Sequence, residues 1–132
     1  RVLDAGCGVG YGSALLAETA TEVVGVDVSE QAIAYARMRY AMPNVEFRVD
    51  DLLAPRLDDE SFAAVVSLET LEHLTDRDAF LRQVARVLLN SNGETCVRLS
   101  GALATALPRI DWTMIAPTCS MIAPANTECL CM

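Results

Sequence analysis

The sequence predicts an α/β fold, a doubly wound and mostly parallel open sheet, on three observations. Apolar runs of strand length alternate with helix-length segments, so consecutive strands are joined by crossovers and lie parallel. A glycine-dense stretch, Gly6-Cys7-Gly8-Val9-Gly10-Tyr11-Gly12, separates the first strand from the first helix and holds four of the seven glycines. Acidic residues then recur where each strand ends, at Asp27, Asp51 and Glu69.

The first strand is Arg1-Val2-Leu3-Asp4, closed by the glycine run, whose composition demands a tight turn. Ser13 opens a short helix through Ala14, Leu15, Leu16 and Ala17. Residues 22–27 are apolar nearly throughout, as in a strand covered on both faces. Ser29 is a good N-cap with Glu30 in the first turn, and that helix runs through Ile33, Ala36 and Tyr40 to stop before Pro43. A third strand is expected at 44–49, closed by Asp50-Asp51, and a fourth at 62–67, followed by the acidic patch Glu69 to His73. Thr75-x-x-Asp78 begins a longer helix, in which Phe80, Leu81, Val84, Val87 and Leu88 form one apolar face. Asn92-Gly93 provides its stop, and a weak fifth strand covers 95–99.

The chain has 132 residues, which suits one domain. Hydrophobic residues are 52% of it, enough to build a core. Its cations are ten Arg with no Lys against 18 acids, a net charge of −8. That sign argues against nucleic acid or an anionic membrane surface as partner. No apolar run of spanning length and no basic-then-apolar leader is seen, and five irregularly spaced Cys suit reduced thiols. The expected location is therefore the cytoplasm. Charge is concentrated in residues 1–93; residues 94–132 keep only Glu94, Arg98, Arg109, Asp111 and Glu128. The chain divides accordingly into a core, 1–99, and an atypical, poorly ordered tail of low charge, 100–132.

Open α/β sheets bind ligands at the carboxyl ends of their strands, where strand order reverses. The glycine loop, Asp27, Asp51 and Glu69 all fall at such ends. A dinucleotide site needs G-x-G-x-x-G, but counting from Gly6 the third position is Tyr11, and from Gly8 it is Ser13. A phosphate-binding P-loop needs a Lys that the chain does not have. What stands instead is Asp4-x-Gly6-x-Gly8-x-Gly10.

The segments VLDAGCGVGYGS, VVGVDVS, VEFRVDDLL, FAAVVSLETLEHL and FLRQVARVL, in that order, resemble the class I S-adenosylmethionine-dependent methyltransferases of the type 11 group. The resemblance covers about residues 1–93. It implies a Rossmann-like sheet with the strand order 3-2-1-4-5-7-6 and S-adenosylmethionine as cofactor. By it, Asp4 and the Gly6, Gly8 and Gly10 backbone line the methionine part. Asp27 binds the ribose hydroxyls and Val28 packs on adenine. Asp51 stands near the adenine amino group with Leu52 against the ring, and Glu69 lies beside the methionine moiety. Against the family pattern the chain reads as truncated at both ends. Asn90-Ser91-Asn92-Gly93 also replaces the usual Lys-Pro-Gly-Gly turn, and Phe62-Ala63 the usual Phe-Asp.

The chemistry of the residues agrees. S-adenosylmethionine carries a sulfonium, an ammonium and one carboxylate but no phosphate, so a carboxylate-rimmed pocket suits it and repels a pyrophosphate. The expected function is methyl transfer to a small-molecule or cell-envelope acceptor. The alternatives are a catalytically silent cofactor-binding module and, less favoured, a nicotinamide-dependent oxidoreductase. His73 and Glu72 are the candidates for a proton acceptor, though the simpler role for His73 is to orient the following helix; no catalytic residue is assigned. No metal is expected, because Cys119 and Cys129-x-Cys131 match no zinc spacing. Cys7 reads as a small buried filler, Met38 and Met42 as packing residues, and Asp58-Asp59-Glu60 as a solvated loop.

Overall fold

A computed structural model describes residues 1–89 in full and the backbone of two further strands, Cys96–Ser100 and Cys129–Cys131. In chain order the elements are β1 (Val2–Ala5), α1 (Tyr11–Leu16), β2 (Val23–Asp27), α2 (Glu30–Arg39), β3 (Val45–Val49), β4 (Ala64–Leu68), a single 3-10 turn (Leu71–His73), α3 (Arg77–Val87), β5 (Cys96–Ser100) and β6 (Cys129–Cys131). The sheet order is β3-β2-β1-β4-β5-β6. Strands β1 to β5 pair in parallel, and β6 is antiparallel to β5.

Strand β1 sits at the centre of this order. Leu3 is in register with Val24 on one side and Val65 on the other, and Asp4 with Gly25 and Val66. The chain winds outward from β1 to β2 and β3, then returns to place β4 on the opposite side. That reversal opens a crevice above the carboxyl ends of β1 and β4, where the loops of an open α/β sheet can hold a ligand.

Two apolar clusters cover the sheet. The larger joins Leu3, Ala5, Val24, Val26 and Val65 to Phe62 and to the buried face of α3, Phe80, Leu81, Val84 and Val87. Each large side chain so buried is worth ~1.5–3 kcal/mol of apolar transfer. The smaller cluster sets Ile33 and Ala36 of α2 against Phe47 and Cys7. Strand β2 is buried at every position but its last, as its unbroken apolar pattern predicts.

Several boundaries differ from the sequence reading. Helix α1 begins at Tyr11, two residues before Ser13, because Gly10 in a left-handed conformation starts it without any side-chain cap. Phe62 stands outside β4 and forms an isolated bridge with Leu88. The N-cap of α3 is Asp76, whose carboxylate accepts from the Ala79 N–H at 2.8 Å; Thr75 is outside the helix. Helix α3 ends at Val87, where Leu88 turns extended (φ −72°, ψ 138°). Asn92-Gly93 lies outside the described residues. Met38 is 76% exposed and does not pack, since α2 buries the face of Ile33 and Ala36 and Met38 projects from the other side. The Asp58–Glu60 loop is exposed as expected, but Asp59 also pairs with Arg86, which donates to the Pro55 and Leu57 carbonyls and so ties this loop to α3. Of the tail expected at 100–132, only Ser100 and Cys129–Cys131 are described. No helix among the described residues is long and apolar enough to cross a membrane.

Candidate functional site

The glycine loop turns the chain from β1 into α1 with Gly6, Gly8 and Gly10 all at positive φ (85°, 53° and 86°), a region that costs L side chains strain. It is fastened to β2 by the Gly6 and Cys7 N–H groups, which donate to the Val26 carbonyl at 2.8 and 3.0 Å. The surroundings of Gly8 and Gly10 differ sharply. A Cβ on Gly10 would lie 2.7 Å from the Ala36 Cβ and 2.8 Å from the Phe47 ring, so this glycine lets the loop pack on α2 and β3. A Cβ on Gly8 would meet nothing within 4 Å. Gly8 therefore presents bare backbone to open space.

Asp27, the last residue of β2, faces that space. Its Oδ2 accepts from the Gly8 N–H at 2.9 Å and its Oδ1 from the Ser29 N–H at 2.8 Å. One carboxylate thus joins the glycine loop to the start of α2, and Ser29 in turn caps α2 by accepting from the Ala32 N–H. Each oxygen keeps a second lone pair for a ligand hydroxyl.

Gly6, Gly8, Asp27, Val28, Asp51, Leu52, Glu69, Thr70, His73 and Leu74 line one open cleft of about 460 Å³. Its charged walls are the carboxylates of Asp27, Asp51 and Glu69, with no Arg among the described lining residues. Val28 is 74% exposed and gives it an apolar lip, while Leu52 is buried at its base. The neighbouring acids divide their work. Asp50 accepts from the Asp51 and Arg56 N–H groups and shapes the loop, while the Asp51 carboxylate accepts from the Leu53 N–H and fronts the cleft. Burial raises the Asp50 carboxyl, but these backbone bonds and the Arg56 guanidinium outweigh it and hold the group below its usual range.

Seven of the nine residues singled out for cofactor binding share this cleft. Asp4 and Gly10 stand behind it. Asp4 is only 4% exposed and its Oδ2 accepts from the Ser13 hydroxyl at 2.6 Å, so it links the end of β1 to α1 beneath the loop. Burial pushes its carboxyl up, against the Ser13 bond, with the Asp27 charge adding to the rise. Cys7 is buried beside it, and burial with the Asp4 and Asp27 charges raises its thiol to about 12, which makes it the inert filler expected. Of the proton-acceptor candidates, His73 lines the cleft and Glu72 does not. Thr70 and Leu74 were not legible as site residues, because only the 3-10 turn after β4 brings them to the wall. Among the described residues no three His, Cys, Asp or Glu side chains converge as metal ligands.

A parallel sheet with a glycine loop and an acid-walled cleft at its point of reversal defines a Rossmann-like domain. The methyltransferase domain family matches residues 2–91, and the chain belongs to it, among the class I S-adenosylmethionine-dependent methyltransferases. Over 90 residues it is 46% identical to a "Probable S-adenosylmethionine-dependent methyltransferase" of Mycobacterium tuberculosis, covering 68% of this chain and 32% of that protein. It is 35% identical over 91 residues to a ubiquinone biosynthesis O-methyltransferase of Idiomarina loihiensis, covering 67% and 37%. Among solved structures, a protein of Pyrococcus horikoshii superposes with a TM-score of 0.68 at 36% identity, over 84% of this chain and 53% of that one. An S-adenosylmethionine-dependent methyltransferase of Mesorhizobium loti does so at 0.64 and 29%, over 75% and 46%. The chain spans about a third of the length of the curated relatives it matches.

Proposed function

We propose that this chain binds S-adenosylmethionine across the carboxyl ends of β1, β2 and β4 and serves methyl transfer to a small-molecule or cell-envelope acceptor. The observation that carries the reading is the open space above Gly8, bounded by the Asp27 carboxylate. In this arrangement the ribose hydroxyls bond to Asp27, adenine packs between Val28 and Leu52 with Asp51 near its amino group, and the methionine part lies along Gly6 and Gly8 towards Glu69. Asp4 and Gly10 support the loop from behind.

The residues fit the ligand's chemistry. Three carboxylates, with no Arg beside them among the described lining residues, suit a sulfonium and an ammonium, and bare loop backbone accommodates close approach. When bound, S-adenosylmethionine supplies a methyl group activated for attack by an O, N, C or S nucleophile. The chain contributes position, holding the ligand so that its methyl faces an acceptor. His73 is placed to take a proton from an acceptor that retains one at neutral pH.

Calorimetric titration of the 132-residue chain tests the first half. Saturable one-site binding of S-adenosylmethionine and S-adenosylhomocysteine is expected, with none of NADH. Saturable NADH binding in place of either ligand would transfer the chain to the oxidoreductases. Incubation with methyl-labelled cofactor and fractionated cell extract tests the second half, label being expected in a small-molecule or envelope fraction. Label confined to protein or nucleic acid overturns that part.

A further inference from the structure

Thr70 occupies the N-cap position of the 3-10 turn, where a hydroxyl ordinarily accepts from a backbone N–H, yet its side chain caps nothing. Its Oγ1–H is instead shared between two carbonyls on the strand side, that of Leu68 at 3.0 Å and that of Ala5 at 3.3 Å. The bond to Leu68 spans Glu69, one of the two non-glycine residues at positive φ among the described residues (52°). The bond to Ala5 reaches the end of β1, whose carbonyl also accepts from the Ser67 hydroxyl at 2.9 Å. Thr70 further fills the volume that Gly6 leaves: a Cβ on Gly6 would lie 2.2 Å from its Oγ1. A strained acid at a cleft wall, flanked by a hydroxyl that bridges its own strand and the glycine loop's strand, is over-determined in the way functional sites are.

We propose that Thr70 is a positioning residue for the cofactor, its hydroxyl holding Glu69 in the left-handed conformation that aims this acid at the methionine end of the cleft. The inference rests on the reading of the cleft as an S-adenosylmethionine site. Without the hydroxyl, Glu69 relaxes towards the ordinary negative-φ region, and its carboxylate leaves the ammonium it faces. The remainder of the cleft, built by Asp27, Val28, Asp51 and Leu52, does not depend on Thr70.

The test compares two ligands on the full chain by calorimetry: S-adenosylmethionine, and 5′-methylthioadenosine, which has no amino-acid portion. Thr70→Val keeps the shape and removes the hydroxyl, and it is expected to weaken S-adenosylmethionine about five- to tenfold while leaving methylthioadenosine within about twofold. Thr70→Ser keeps the hydroxyl and is expected to restore wild-type affinity. In a Glu69→Gln background Thr70→Val is expected to add no further loss. Equal weakening of both ligands, or affinity kept in Thr70→Val and lost in Thr70→Ser, makes Thr70 a packing residue and overturns the proposal. So does an undiminished effect in the Glu69→Gln background, which is read within folded protein even if single variants lose stability. Failure of the wild-type chain to bind S-adenosylmethionine is a separate result, and it overturns the site reading and this inference with it.

Discussion

The Asp27 carboxylate and the Gly8 amide are joined by a 2.9 Å hydrogen bond, so the end of β2 fixes the most open point of the glycine loop. The other carboxylate oxygen accepts from Ser29 at the start of α2. Two peptide N–H groups therefore converge on one side chain, one on each oxygen, and a carboxylate is the side chain whose two branches both accept.

Asp27→Ala is expected to weaken S-adenosylmethionine binding by ~1–3 kcal/mol, the cost of leaving hydrogen-bonding groups unpaired. Asp27→Asn should fare little better despite its similar shape, because its amide nitrogen must face one of the two N–H donors. Calorimetric affinities that match wild type in either variant would remove Asp27 from the site.

Gly8 and Gly10 separate binding from folding. Gly8→Val places its side chain in open space, so it should abolish cofactor binding while costing the fold only the ~1–2 kcal/mol of a left-handed residue. Gly10→Ala adds to that same strain a collision with Ala36 and Phe47, and overpacking of this kind costs a further ~1–3 kcal/mol. Denaturant melts should rank Gly10→Ala as the less stable of the two. The reverse ranking would mean that the loop does not pack on α2 as described.

At the start of α3 the cap is Asp76 and not its neighbour. Asp76→Ala should destabilise the chain by ~1 kcal/mol, the usual worth of a capping side chain. Thr75→Ala, at an exposed position outside the helix, should stay within ~0.5 kcal/mol of wild type. Paired thermal melts decide the matter, and equal losses would move the cap.

Periodicity and turn chemistry made the sheet legible. The apolar run of β2, the Ser29 cap and the one-sided face of α3 are local signals, and each element stands within a few residues of its sequence position. What local signals could not show was contact across the sheet. Asp4 reads as a site residue from its place before the glycines, yet its carboxylate turns under the loop to Ser13, a partner nine residues on. Thr70 carries no motif of its own. Its meaning comes from Ala5 and Gly6, which lie more than sixty residues earlier and meet it only once β1 and β4 pair. Helix α1 starts two residues before Ser13 for a related reason, since a glycine in left-handed conformation replaces a polar cap there.

The burial of Asp4 has a pH consequence whose sign follows from its raised pKa. The unfolded chain releases this proton near the ordinary value of 3.8, whereas the folded chain holds it to higher pH. Between those two points the folded state binds more protons, so stability falls as pH rises through the window and stays lower above it. Asp4→Asn keeps an oxygen to accept from Ser13 and removes the charge. The variant and the wild type should therefore differ least near the ordinary carboxyl value of 3.8, with the variant gaining as pH rises above it. Melting temperatures across that range check the expectation, and a gap that stays constant with pH would show that Asp4 does not carry a buried charge in the folded chain.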